Sequence, residues 1–320
     1  FFGLRLDGAH SDRWEAIVKR SLGFWARLLK RNRLLAPPLV PGDAVSSHRD
    51  DADANVDSAS VDIASVDSAN GDKTAPLTAS EQALLRYQIG ARWDMIHRLH
   101  ALKAAPANLS CALCGHTAER EAFAEHVTEC IFEGGTITRH QCPVCDVIFG
   151  SDLMLELSPE ALTREYEWHY QIFSEGDSTE QEIRAFEALN PERGRAYVNW
   201  GSGAWSSSTE RLRSEGWEVY GYEPHGSAHG GGKYVLTTRS ELEQLKPAGI
   251  FSNNVLEHFR YPVAALRDMA SLLPAGALMS HATPCFEYRF EFTRFHLFFF
   301  LGKSREWVAE QANLSVVDYR

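Results

Sequence analysis

The stretch AYVNWGSGAWSSSTERLRSEGWEVYGYEP, residues 196–224, limits the fold more than any other part of the chain. Ala196-Tyr197-Val198 is a short apolar, β-prone run, and Gly201-Ser202-Gly203 breaks it. The serines and threonine at 206–209 can cap a helix, and Glu210 falls in its first turn, where the helix dipole favours negative charge. Gly216 stops that helix, and residues 217–222 read as a second strand. Glu223 stands at the end of that strand, twenty residues after Gly203. The order strand, glycine loop, helix, strand, acid is that of a nucleotide-type site. The loop admits a ligand to the backbone, the helix start offers free N–H groups, and the acid accepts hydrogen bonds from a ribose diol.

Strands and helices continue to alternate after this unit. Residues 233–236, 249–254, 277–282 and 314–319 read as strands, and 262–273 and 303–313 as helices. A helix over 178–189 precedes the first strand. Alternation of this kind predicts an α/β domain with an open, mostly parallel sheet. Ligands of such sheets bind beyond the C-terminal strand ends, where Gly201, Gly203, Glu223, Asn253, Asn254 and Thr283 fall.

Four of the six cysteines form two Cys-x-x-Cys pairs, Cys111/Cys114 and Cys142/Cys145, with 27 residues between them. Each pair turns tightly enough to aim both thiolates at one ion, and two pairs complete a tetrahedral four-sulfur site. A structural Zn²⁺ is the expected occupant, with Cys130 packed beneath the ribbon. Paired cysteines of this spacing point to a reducing, cytoplasmic compartment and not to a disulfide framework.

The first hundred residues are of another character. Residues 12–35 place Trp14, Ile17, Val18, Leu22, Trp25, Leu28 and Leu29 at helical spacing among basic residues. Such a basic amphipathic helix fits peripheral contact with the inner face of a membrane, or packing on a protein surface. Residues 39–79 are a low-complexity acidic linker built on a Val-Asp-x-Ala-x repeat, with little to bury. Residues 80–107 carry a second helix, capped by Thr78 or Ser80, with Leu85, Ile89, Trp93, Ile96 and Leu99 along one face. It reads as a brace or an oligomer helix. No uninterrupted apolar run reaches the ~18 residues of a membrane span, and FFGLRLDGAH has no basic start before an apolar core. Net charge is −11, and the ribbon lacks a concentrated basic surface, so nucleic acid is not an expected partner.

Taken together, CALC…CPVC, YVNWGSGAW, VYGYEP, NNVLEHFRYPVAAL and the later LLPAGALM, TPC and FHLFFF resemble a class I S-adenosylmethionine-dependent methyltransferase. The similarity is to the branch with an N-terminal zinc ribbon that acts on sugars or other small metabolites, and it covers about residues 108–320. The resemblance implies a Rossmann-like, doubly wound sheet over 151–320, preceded by the ribbon at 108–150 and the N-terminal helices, the first within 1–38. It implies S-adenosylmethionine as cofactor, with Gly201 and Gly203 at the methionine moiety, Glu223 on the ribose, and Asn253 and Asn254 lining the pocket. Tyr166 and Tyr170 would fold over the cofactor. His258, then His296, are the candidate bases for a small-molecule or glycan-type acceptor. Three positions depart from the pattern. Asn199 replaces the acid of the first motif, Trp205 occupies the last small position of the loop, and Thr237-Thr238 ends the third strand without an acid. The alternative reading is therefore a catalytically degenerate domain of this fold that serves binding or assembly.

Overall fold

The computed structural model describes residues 2–6, 77–172, 176–203, 206–224 and 233–319. The basic segment at 12–35, the acidic repeats and Trp205 lie outside the described residues. Among the described residues no helix is long and apolar enough to cross a membrane.

The first strand, β1 (Phe2–Leu6), was not foreseen, because residues 1–38 read as one helical segment. It lies inside the larger sheet with Phe2 and Leu4 fully buried. Helix α1 (Ala79–Ala101) starts where expected, at a capping box between Thr78 and Glu81. Leu85, Ile89, Gly90 and Trp93 form its buried stripe, while Leu99, expected on the same face, is 58% exposed. Trp93 anchors the helix. Its Nε1 donates to Nε2 of His169 at 2.9 Å, and the Arg294 guanidinium lies 4.0 Å over its ring. Gly134, at φ +76°, leaves room for it: a Cβ there would stand 2.3 Å from the Trp93 Cβ.

The ribbon region pairs β2 (Asn108–Ser110) with β3 (Thr117–Glu119), and places β4 (Ala124–Glu129), β5 (Thr136–Gln141) and β6 (Ile148–Gly150) in an antiparallel sheet. Two helices follow, α2 (Asp152–Glu156) and α3 (Pro159–His169). The ribbon does not close at residue 150. Strand β12 (Phe298–Phe299), from far downstream, extends its sheet on β6.

The remaining elements are α4 (Thr179–Glu187), β7 (Ala196–Trp200), α5 (Ser207–Ser214), β8 (Glu218–Tyr222), β9 (Val235–Leu236), α6 (Arg239–Leu245), β10 (Gly249–Asn253), α7 (Pro262–Ala270), β11 (Leu278–Ala282), α8 (Ser304–Gln311) and β13 (Leu314–Tyr319). The larger sheet runs β13-β1-β11-β10-β7-β8-β9. The strands from β11 to β9 are mutually parallel, and β1 is antiparallel to both its neighbours. Alternation along the strands sends side chains to opposite faces. Tyr197, Val219 and Phe251 pack against Ile183 and Phe186 of α4 and Leu212 of α5. Val198, Ile250, Met279 and Leu4 join the core that includes Leu242, Leu266, Met269 and Val308 of α6, α7 and α8. The parallel order aligns the ends of β7, β8, β10 and β11 along one edge.

Two buried histidines tie stability to pH. His281 of β11 bonds through Nδ1 to the Ser252 hydroxyl on β10 at 2.8 Å. Burial lowers His281 to about 3, and burial and then Arg294 lower His169 to about 4. In the folded chain both rings stay neutral, whereas the unfolded chain takes up protons below its ordinary value near 6.5. Their contribution is intact above that value and is lost as pH falls toward 4, at about 1.4 kcal/mol per pH unit for each ring. Urea unfolding at pH 7 and pH 5 should show the loss, and His281→Gln should flatten the slope. An unchanged slope in that variant would remove His281 from the account.

Candidate functional site

The loop after β7 is shaped by its glycines. Gly201 has φ +72°, and a Cβ on it would lie 2.7 Å from Cγ2 of Val255, the residue that follows Asn254. The glycine loop and the end of β10 therefore pack against each other, as the sequence places them. Gly203 also has positive φ, at 70°. The N–H groups of Gly201 and Ser202 donate to the carbonyl of Tyr222 at 2.9 and 3.4 Å, which ties the loop to the tip of β8. Trp200 packs on Tyr222 with ring centroids 4.6 Å apart. Glu223 follows directly, half-buried, with its N–H on the carbonyl of Leu236 at 2.9 Å.

Beneath this loop lies a carboxylate that the sequence reading missed. Asn199 of β7 donates through Nδ2 to Oε2 of Glu182 on α4, at 2.6 Å. Ser206 and Ser208, at the start of α5, donate to the same oxygen at 3.3 and 2.5 Å. Ser178 donates to the other oxygen at 2.6 Å. Asn199 is thus paired with a carboxylate. It is the donor to an acid contributed by the preceding helix, placed where the α5 dipole favours negative charge. The sequence carries no signal for this pairing, because Glu182 lies 17 residues upstream on another element.

A cavity of about 560 Å³ opens beside the ends of β10 and β11. Asn253, Asn254 and Thr283 line it, together with Tyr170, Asp177, Ser178, Arg184, Phe290, Phe292 and His296. Asn254 holds a left-handed conformation, φ +54°, with its N–H on the carbonyl of Ala282 at 2.9 Å. Tyr170 thus reaches the crevice. Tyr166 stacks on it with centroids 4.0 Å apart and meets the edge of His258 at 5.5 Å.

His258 and His296 lie together, ring centroids 5.1 Å apart. Burial and then His296 lower His258 to about 3, and burial lowers His296 to about 4. Both rings are neutral near pH 7, and a conjugate acid that strong makes each a weak general base. The wall carrying His296 is fastened to the ribbon by Arg139 of β5, a fully buried residue that the sequence reading also missed. Its guanidinium donates to the carbonyls of Glu291, Thr293 and His296 at 2.9, 2.6 and 3.1 Å.

The ribbon gathers the two Cys-x-x-Cys pairs. The sulfurs of Cys111 and Cys145 lie 3.7 Å apart, and those of Cys114 and Cys142 3.6 Å apart. All four lie within 4.8 Å of one another. Tetrahedral ligands at the ~2.3 Å zinc–sulfur distance stand about 3.8 Å apart, so the set fits such an ion. Cys130 stays outside the set, buried, where it accepts from Nε of Arg294 at 3.2 Å.

Residues 198–319, from within β7 to the end of β13, match the family model described as a methyltransferase domain. The glycine loop and Glu223 lie within the stretch that is similar to this family. The match also takes in Asn253, Asn254, His258 and His296, while the ribbon, Tyr166 and Tyr170 precede it. No curated protein matches the chain.

Proposed function

We propose that the methyltransferase domain binds S-adenosylmethionine in a Rossmann-like, doubly wound sheet and transfers its methyl group to a small-molecule or sugar-type acceptor. The observation that carries this reading is the shared edge on which the Gly201–Gly203 loop, Glu223 and the Asn253-Asn254 end of β10 lie within the matched domain. Gly201 and Gly203 would admit the methionine moiety to the backbone, and Glu223 would accept hydrogen bonds from the ribose hydroxyls. The cavity beside Asn253 and Asn254 has the size of a small-ligand site and mixed polar and aromatic walls. Methyl transfer from a sulfonium is an in-line displacement, so its main requirement is positioning of donor and acceptor. Cys111, Cys114, Cys142 and Cys145 would hold a structural Zn²⁺, whose role is to fold the ribbon.

The competing reading, a degenerate domain used for binding, drew on Asn199, on Trp205 and on the missing acid at Thr237-Thr238. Glu182 supplies a carboxylate beside Asn199, which favours the active reading. Calorimetry with S-adenosylhomocysteine tests it. Micromolar binding is expected, with Glu223→Ala weakening it at least tenfold, about 1.4 kcal/mol or more. No binding at millimolar ligand would exclude the cofactor, and an unaffected variant would exclude the ribose role of Glu223.

A further inference from the structure

A second constellation of metal-ligand types lies beside the crevice, apart from the four cysteines. Glu257 and His258 come from the single turn Leu256–His258 after β10, and His296 from the segment leading into β12. One donor atom of each lies within 4.8 Å of the other two. Nδ1 of His258 is 3.0 Å from the carbonyl of Phe295, and Nδ1 of His296 is 2.9 Å from the carbonyl of Phe290. A carbonyl can only accept, so both bonds fix the ring proton on Nδ1 and leave Nε2 with its lone pair. Backbone carbonyls that fix the tautomer in this way are the usual outer support of metal-bound histidine. The turn is itself fastened to the other segment, because the N–H of Leu297 donates to the carbonyl of Glu257 at 2.8 Å.

We propose that Glu257, His258 and His296 bind a divalent first-row cation at the wall of the crevice. Two imidazoles and one carboxylate suit Mn²⁺, Fe²⁺ or Co²⁺ and leave coordination positions open. His296 borders the cavity with Asn253, Asn254 and Thr283, so an open position there would take an oxygen of a bound acceptor. This last role rests on the methyltransferase reading; the cation site itself does not. The site also gives the two histidines a task suited to neutral rings.

Mn²⁺ is the suitable probe, since it prefers nitrogen and oxygen donors and competes poorly for a four-thiolate site. Zinc-loaded protein is titrated with Mn²⁺ alone, and free Mn²⁺ is followed by electron paramagnetic resonance. One Mn²⁺ per chain is expected. Glu257→Gln and His296→Gln should each weaken it at least tenfold, while His126→Gln, on the ribbon, should leave it unchanged. Only variants that keep the wild-type near-ultraviolet circular dichroism are compared; should neither keep it, the wild-type stoichiometry decides. Wild-type protein that leaves Mn²⁺ free at millimolar concentration overturns the site, and so do two folded variants that bind as wild type does. Neither cofactor nor acceptor is present, so failure here leaves the S-adenosylhomocysteine result standing.

Discussion

Replacing Cys142 with serine is expected to abolish metal binding by the four sulfurs and to loosen the His296 wall of the crevice with it. Cys111, Cys142 and Cys145 are buried, and the loops that carry them fold around their sulfurs. A structural zinc of this type contributes on the order of 10 kcal/mol to the folding of its module. Serine is a poor substitute for a thiolate, so bound zinc should fall from one per chain to under about a tenth by metal analysis. The loss should travel through two links. Strand β12 pairs with β6, and Arg139 of β5 holds the carbonyls of Glu291, Thr293 and His296. With the ribbon molten, the wall bearing Phe290, Phe292 and His296 loses both supports, and protease cleavage between 287 and 297 should rise. A variant that keeps its zinc, or loses it without exposing that wall, would break this chain of support.

Glu182→Ala should have the second large effect, centred on the glycine loop. The carboxylate accepts from Asn199, Ser206, Ser208 and Ser178. Removing it leaves Asn199 and Ser208, both buried, without this acceptor. Stranding buried donors costs about 1–3 kcal/mol each, so a total destabilisation of about 3 kcal/mol is expected in urea unfolding. The helix α5 that begins at these serines should fray, and S-adenosylhomocysteine binding should weaken with it. Glu182→Gln keeps one acceptor oxygen and should lose less. If alanine and glutamine behave alike, or if neither changes stability, the carboxylate is not what holds the loop.

The contrast between Asn199 and Gly201 shows what the chain makes legible. Gly201 was readable because its demand is local: a left-handed backbone and a close approach follow from the glycine itself. The alternation from Ala196 to Tyr319 was readable for the same reason, since short apolar runs and caps encode each element where it stands. The helix at 79–101 followed from a cap at Thr78 and an apolar stripe from Leu85, although the expected stripe runs to Leu99 and its burial stops at Trp93. Asn199 was not readable. Its partner lies 17 residues upstream on another element, and only packing of α4 against the sheet brings the two together. Arg139 is a stronger case: a lone arginine in a β-strand carries no sign that three carbonyls some 150 residues later will surround it. The VLEH motif was seen for its histidine, but Glu257 joins the histidines only through the fold of residues 290–297 beside it. Polar contacts across elements are set by topology, and periodicity is silent about them.

The placement of β1 carries a consequence for how the protein reaches its native state. Phe2 pairs with His281 on one side and Tyr319 on the other, so the sheet's far edge joins residues at the two extremes of the described chain. Contacts of such long sequence separation require the costliest loop closure and form late. The ribosome makes β1 before either strand it will lie between, so its buried Phe2 and Leu4 must wait for residues roughly 270 or more positions later. Until β13 pairs with it, β1 presents an open strand edge, a row of unpaired backbone groups that invites pairing with other chains.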